Sequence, residues 1–181
     1  ETVFVDPAGL HHIQGSGPAG AGGAAGVIYR WLGISQDLCF PSPVTSAIQR
    51  SLQAKFHAYG ERGEKKCIHV VGPDFRSRHY ERAEAIAELS EAYRNVLSEF
   101  CKTGLQKLRL LPVSGGIFSG RFKKELAAMT AEAIEAAFLQ LTAEEQARVR
   151  SASVELCIFM ANEMTSFSAV FAESLATVQV S

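Results

Sequence analysis

Leu108-Arg109-Leu110-Leu111-Pro112-Val113-Ser114-Gly115-Gly116-Ile117-Phe118-Ser119-Gly120 is a short apolar strand that passes through a glycine-rich loop into a long helical pattern starting near Phe122. The same arrangement occurs early in the chain. There Thr2-Val3-Phe4-Val5 leads through Gly15, Gly17, Gly20, Gly22, Gly23 and Gly26 into Val27-Ile28-Tyr29-Arg30-Trp31-Leu32. Glycine lets backbone N–H groups approach an anion closely, and a helix N-terminus adds about half a positive charge, so each unit reads as a phosphate cradle. Two cradles in one small chain point to a diphosphate.

Outward from these loops the elements alternate. Gly33 reads as the C-cap of the first helix, residues 34–46 with Pro41 and Pro43 as an irregular connection, and residues 47–57 as a helix. Lys66-Cys67-Ile68-His69-Val70-Val71 is a strand closed by Gly72-Pro73-Asp74. From Arg82 to Phe100, apolar Ile86, Leu89, Tyr93, Val96, Leu97 and Phe100 recur at helical spacing, and Gly104 lies just beyond. Lys123 to Leu141 reads as a further helix, Val154 to Met160 as the last strand, and Phe167, Val170, Phe171 and Leu175 mark a closing helix. Apolar strands alternating with helices predict an α/β fold, a three-layer α/β/α sandwich with a mixed, largely parallel sheet. Ligands of such sheets bind outside the C-terminal strand ends.

The 181 residues suit one hydrophobic core, so residues 1–181 are read as a single domain. Lys plus Arg total 18 against 19 for Asp plus Glu, and a net charge of −1 provides no field to attract nucleic acid or an acidic membrane. Any anion site must be local. Apolar runs fall well short of the roughly 20 residues of a membrane span, and Glu1-Thr2-Val3-Phe4-Val5-Asp6 lacks the pattern of a secretory signal. Cys39, Cys67, Cys101 and Cys157 show no CxxC spacing, so reduced thiols, no metal and an intracellular location, cytoplasmic or nuclear, are expected. Cys67 and Cys157 fall in apolar strand patterns, where free cysteine packs as a small hydrophobe.

Two familiar spellings fail on context. Gly15-Ser16-Gly17-Pro18-Ala19-Gly20 has the G-x-G-x-x-G form but lies about ten residues past its strand, whereas a dinucleotide fingerprint needs its glycines at the strand–helix turn. Gly115 to Gly120 has P-loop spacing, but Arg121-Phe122 replaces the Lys-Ser/Thr that reaches phosphate and magnesium.

Gly22-Gly23-Ala24-Ala25-Gly26-Val27-Ile28, Cys67-Ile68-His69-Val70-Val71-Gly72-Pro73 and Leu111-Pro112-Val113-Ser114-Gly115-Gly116-Ile117-Phe118-Ser119-Gly120 together resemble the signature segments of the macrodomain family, in the family's order. Leu156 to Leu175 also resembles its final strand and helix. The resemblance implies a module that binds ADP-ribose, free or attached to protein, without a further cofactor. It places Gly22, Gly23, Ala24, Gly26, Val27 and Ile28 along a first phosphate loop, and Ser114, Gly115, Gly116, Ile117 and Phe118 along a second, with Phe118 flanking the distal ribose and Phe167 near the adenine.

The chain departs from the family pattern where catalysis is concerned. The family's Asn-Ala-Ala-Asn appears as Asp6-Pro7-Ala8-Gly9, the acid before the last loop glycine appears as Ala25, and the segment that usually precedes this strand has no counterpart before Thr2. Gly9 and Ala25 have no polar side chain with which to hold a ribose or activate water. Asp6, His11 or His12 is the candidate replacement, Asp6 as a catalytic base; the competing readings are a turn aspartate before Pro7, two solvated loop histidines and, for His69, a core histidine. The sequence thus predicts binding with catalysis absent or altered. The alternatives are an ADP-ribosyl or O-acetyl-ADP-ribose hydrolase, and a degenerate scaffold that binds protein or RNA.

Overall fold

The computed structural model describes the backbone of residues 2–178 and the side chains of residues 2–172. Strands β1 (Thr2–Ala8), β2 (Ala54–Tyr59), β3 (Lys65–Val71), β4 (Lys107–Leu110) and β5 (Ser153–Leu156) form a sheet in the order β2-β3-β1-β4-β5. β1 runs parallel to β3 and β4, and β4 parallel to β5, while β2 joins β3 antiparallel. The helices are α1 (Gly23–Leu32), α2 (Ser42–Ala47), α3 (Arg82–Thr103), α4 (Leu126–Leu139), α5 (Ala143–Arg150) and α6 (Met164–Val178).

Strand alternation divides the core in two. Val3, Val5, Ile68, Val70, Leu108 and Leu110 are buried with Leu89, Tyr93, Val96 and Phe100 of α3 and Met129 of α4. The opposite parity, including Ala8, Cys67 and Val71, is buried with Ile28 and Tyr29 of α1, Phe40, and Val44 of α2. Helices on both faces of a mixed, largely parallel sheet give the three layers expected. Cys67 and Cys157 pack in the second cluster as small apolar side chains. Gly33 and Gly104 end α1 and α3 in the left-handed conformation, with φ of 89° and 69°.

Some boundaries differ from the sequence reading. Residues 47–57 are not a helix: α2 ends at Ala47, and Ala54–Tyr59 is a strand on β3. Ile48, Leu52 and Phe56 recur every four residues and imitate a helical face, but Leu52 takes φ 73° and the ladder to β3 outweighs local spacing. Glu99 of α3 supports this strand by accepting the Phe56 N–H at 2.9 Å. α5 escaped notice because it buries no side chain; its marker is a capping box in which Thr142 Oγ1 accepts the Glu145 N–H and Glu145 accepts the Thr142 N–H. β5 stops at Leu156 rather than Met160. The closing helix is present as α6, with Phe167 buried; the Leu175 side chain lies outside the described residues.

Candidate functional site

Both glycine loops follow the C-terminal ends of adjacent parallel strands, β1 and β4, and so open at the same edge of the sheet. After β1 the chain makes one wide helical turn, His12–Ser16, and then enters α1 at Gly23. After β4 a tight helical segment, Gly116–Phe122, is kinked at Gly120. Gly20, Gly22, Gly23 and Gly116 face open space, with no atom within 4 Å of where a side chain would begin. Gly23 and Gly116 also have φ of 56° and 58°, which favours glycine.

The second loop is held from several sides. Tyr93 of α3 accepts the Val113 N–H at 2.9 Å through its phenol oxygen. Ser114, at φ 58°, donates its hydroxyl to Pro73 O at 2.6 Å, and the Phe75 N–H donates to Phe118 O at 3.0 Å. Gly72 lets the ends of β3 and β4 close over β1, because a Cβ there would meet the Val113 side chain and lie 2.5 Å from Ser114 Oγ.

Under this closure lies a cleft of about 140 Å³, lined in part by Gly9, His11, Ser51, Asp74, Ser114 and Phe118. Asp74 makes a bidentate pair with Arg76, and that guanidinium holds its carboxyl below the usual range, while Arg76 also lies 5.0 Å from the Phe118 ring centre. The His11 and His12 rings lie tilted against each other with centres 4.1 Å apart, and the His11 pKa is lowered, first by burial and then by His12.

The cleft therefore gathers Ser114 and Phe118 with residues of the β1 and β3 ends. Gly22, Gly23, Ala24, Gly26, Val27 and Ile28 do not line it. They form the N-terminal turns of α1, where Ala24 and Ala25 pack in the cluster that holds Ala8 of β1 and Leu111 beyond β4. Ile28 is buried in the core, whereas Val27 is exposed. Of the second loop, Gly116 and Ile117 are exposed and Gly115 half-buried. Phe167 is separate: it is buried against Leu126 and Ala127 and borders a second hollow with Lys123, Lys124, Asn162 and Ser166. An aromatic that the sequence reading missed, Phe159, stands half exposed beyond β5 beside the equally exposed Met160. Placing both within the last strand hid them.

Asp6 and His69 are neither turn nor cleft residues. They are register partners on β1 and β3, each with no exposed surface. With the ring proton on Nδ1, His69 donates to Asp6 Oδ2 at 2.8 Å, and the Tyr59 O–H donates to His69 Nε2 at 2.7 Å. Burial pushes the Tyr29 and Tyr59 phenols and the Cys67 thiol far up, and the Asp6 carboxyl adds to each shift. These groups thus stay protonated beside Asp6. Among the described residues no group of three or more His, Cys, Asp or Glu side chains could hold a metal ion, and no helix is long and apolar enough to cross a membrane.

A family model described as Macro domain matches residues 46–131. The chain has the macrodomain fold. It is similar to a macrodomain of Oceanobacillus iheyensis solved with ADP (TM-score 0.65, 18% identity, 97% of this chain and 85% of the other). It also resembles a macrodomain of Trypanosoma brucei in complex with ADP-ribose (TM-score 0.58, 16% identity, 91% and 61% covered). A third likeness is to the alphavirus P23pro-zbd structure (TM-score 0.65, 19% identity), where 95% of this chain corresponds to 22% of that one. In sequence, 58 residues are 38% identical to polyprotein P1234 of O'nyong-nyong virus (strain Igbo Ora), spanning 32% of this chain and 2% of that polyprotein. The chain therefore corresponds to a small part of its viral relatives' length.

Proposed function

We propose that this macrodomain binds ADP-ribose, free or attached to protein, with its diphosphate between the N-terminal turn of α1 and the Gly115–Gly116 turn. The observation that carries this reading is the pair of glycine loops on adjacent parallel strands, with Gly22, Gly23 and Gly116 facing open space. Backbone N–H groups at such turns need no charged side chain to hold phosphate, which fits a chain of net charge −1. Phe159, exposed beyond β5, is an aromatic available to stack a base.

Catalysis is absent or much reduced in this reading. Gly9 and Ala25 offer no polar side chain, and Asp6 is enclosed in the sheet with His69. Loss of positioned acid–base groups typically costs about 10² to 10⁴ in rate. The unpaired cysteines and the ligand class suit an intracellular setting. Calorimetric titration with ADP-ribose tests binding, and incubation with a mono-ADP-ribosylated protein tests turnover. Binding without release of ADP-ribose is expected; absence of binding overturns the proposal, and robust release overturns its catalytic half.

A further inference from the structure

We infer that His11 is the specificity residue of the cleft: it occupies the space left by the missing side chain of Gly9 and hydrogen-bonds a hydroxyl of the sugar on the terminal phosphate. The inference rests on the binding mode just proposed and deepens it. A Cβ built on Gly9 would lie 2.8 Å from His11 Cε1, 2.9 Å from Nδ1 and 3.4 Å from Phe118 Cζ. The imidazole thus stands beside the Gly9 backbone, on the side facing Phe118, at the cleft wall.

Its position is set by the backbone. Gly9 O accepts the N–H of His12 at 3.0 Å and of Ile13 at 3.2 Å, and Ile13 is anchored in the core. His12 is committed elsewhere, through Nδ1 to Gly17 O at 2.9 Å. Among the described residues, the His11 ring makes no hydrogen bond to protein, so both its nitrogens are available to a ligand. Burial and the neighbouring His12 favour the unprotonated ring, which offers one acceptor nitrogen and one N–H donor.

The walls identify the occupant. Phosphates between the β1 and β4 loops leave the cleft on the β3 side for whatever the terminal phosphate carries. An aromatic ring, the hydroxyl of Ser51, the carboxyl of Asp74 and an unengaged imidazole suit a sugar, with an apolar face and a rim of hydroxyls. The ligand class is accordingly a nucleoside diphosphate that bears a second sugar, and ADP lacks the part that His11 reads.

Titration of wild type, His11→Ala and His11→Asn with ADP-ribose and with ADP tests this. Wild type should prefer ADP-ribose. His11→Ala should weaken ADP-ribose binding about threefold to tenfold, the loss of one hydrogen bond, and leave ADP unchanged. His11→Asn should keep part of the preference. Because His11 is exposed, its variants should melt with the wild type, which checks folding. Full retention of the preference in His11→Ala overturns the role of His11 and leaves the proposed function standing, as does equal wild-type affinity for the two ligands. Failure of wild type to bind either ligand overturns both.

Discussion

Replacing Asp6 by Ala should unfold the sheet more than it affects any chemistry. The carboxyl is fully buried and accepts the His69 Nδ1–H at 2.8 Å. Its removal leaves that N–H in a pocket walled by Tyr29, Phe40 and Tyr59, whose rings lie 5.2 to 6.4 Å from the imidazole. Breaking a buried polar pair of this kind from one side costs about 3–5 kcal/mol. For a chain of this size each kcal/mol corresponds to about 2–4 °C, so the melting temperature should fall by about 6–20 °C. Asp6→Asn keeps an acceptor oxygen for the His69 N–H and should therefore cost less, about 1–2 kcal/mol. Calorimetric melts of the two variants, with ADP-ribose titrated at a temperature where each is folded, separate stability from function. An Asp6→Ala protein that melts within about 2 °C of wild type would show that the pair is not held as described.

Other consequences are equally accessible. Gly23→Glu and Gly116→Glu should each abolish ADP-ribose binding, with Gly→Ala at the same sites isolating the strain of positive φ, about 1–2 kcal/mol; surviving affinity in the Glu variants removes these turns from the phosphate site. Phe159→Ala should weaken binding of ADP-ribose by about 1–3 kcal/mol through lost stacking, whereas Phe167→Ala should lower the melting temperature and spare the affinity of the folded protein. Glu99 is pushed up by burial, but Lys102, the Phe56 N–H and Lys55 outweigh this and hold it below the ordinary glutamate range. Its contribution is therefore present above the unfolded pKa of about 4.3 and is lost as pH falls through the folded value, so Glu99→Gln should destabilise at pH 7 and converge with wild type in acid melts. Reinstating Gly9→Asn with Ala25→Asp should raise turnover of a mono-ADP-ribosylated protein more when His11→Ala is added, because the new Cβ meets the His11 ring at 2.8 Å and that exposed ring must swing aside; equal rates with and without His11→Ala would contradict that steric account.

What could be read from the sequence followed how locally each feature is encoded. The apolar strands, the long period of α3 and the left-handed glycines after α1 and α3 carry their signals within a few residues, and with them came the layers and the edge at which both loops lie. β2 was lost because its apolar spacing is that of a helix while its pairing is made with β3, and α5 because a helix with no buried face has no apolar period. The site was less legible. Asp6 and His69 are 63 positions apart, and only the parallel register of β1 and β3 shows that they face each other. The contact of His11 with Gly9 depends on how one turn folds back, and the exposure of Phe159 on where β5 stops.

The pairing of Asp6 with His69 also bears on how the strands find one another. A one-residue slip of β1 along β3 is already excluded, because it turns the apolar side chains to the wrong face. A two-residue slip preserves the faces, and among Val, Ile and Cys side chains burial alone discriminates weakly against it. Such a slip places Asp6 opposite Cys67 or Val71 and strands both a carboxyl and an imidazole among apolar groups. β1 and β3 are joined only after a long intervening segment, so chance alignments must be sampled during folding. The polar pair thus penalises the two-residue slip that apolar burial tolerates, and it favours the register in which Ala8 at the end of β1 lies opposite Val71 at the end of β3.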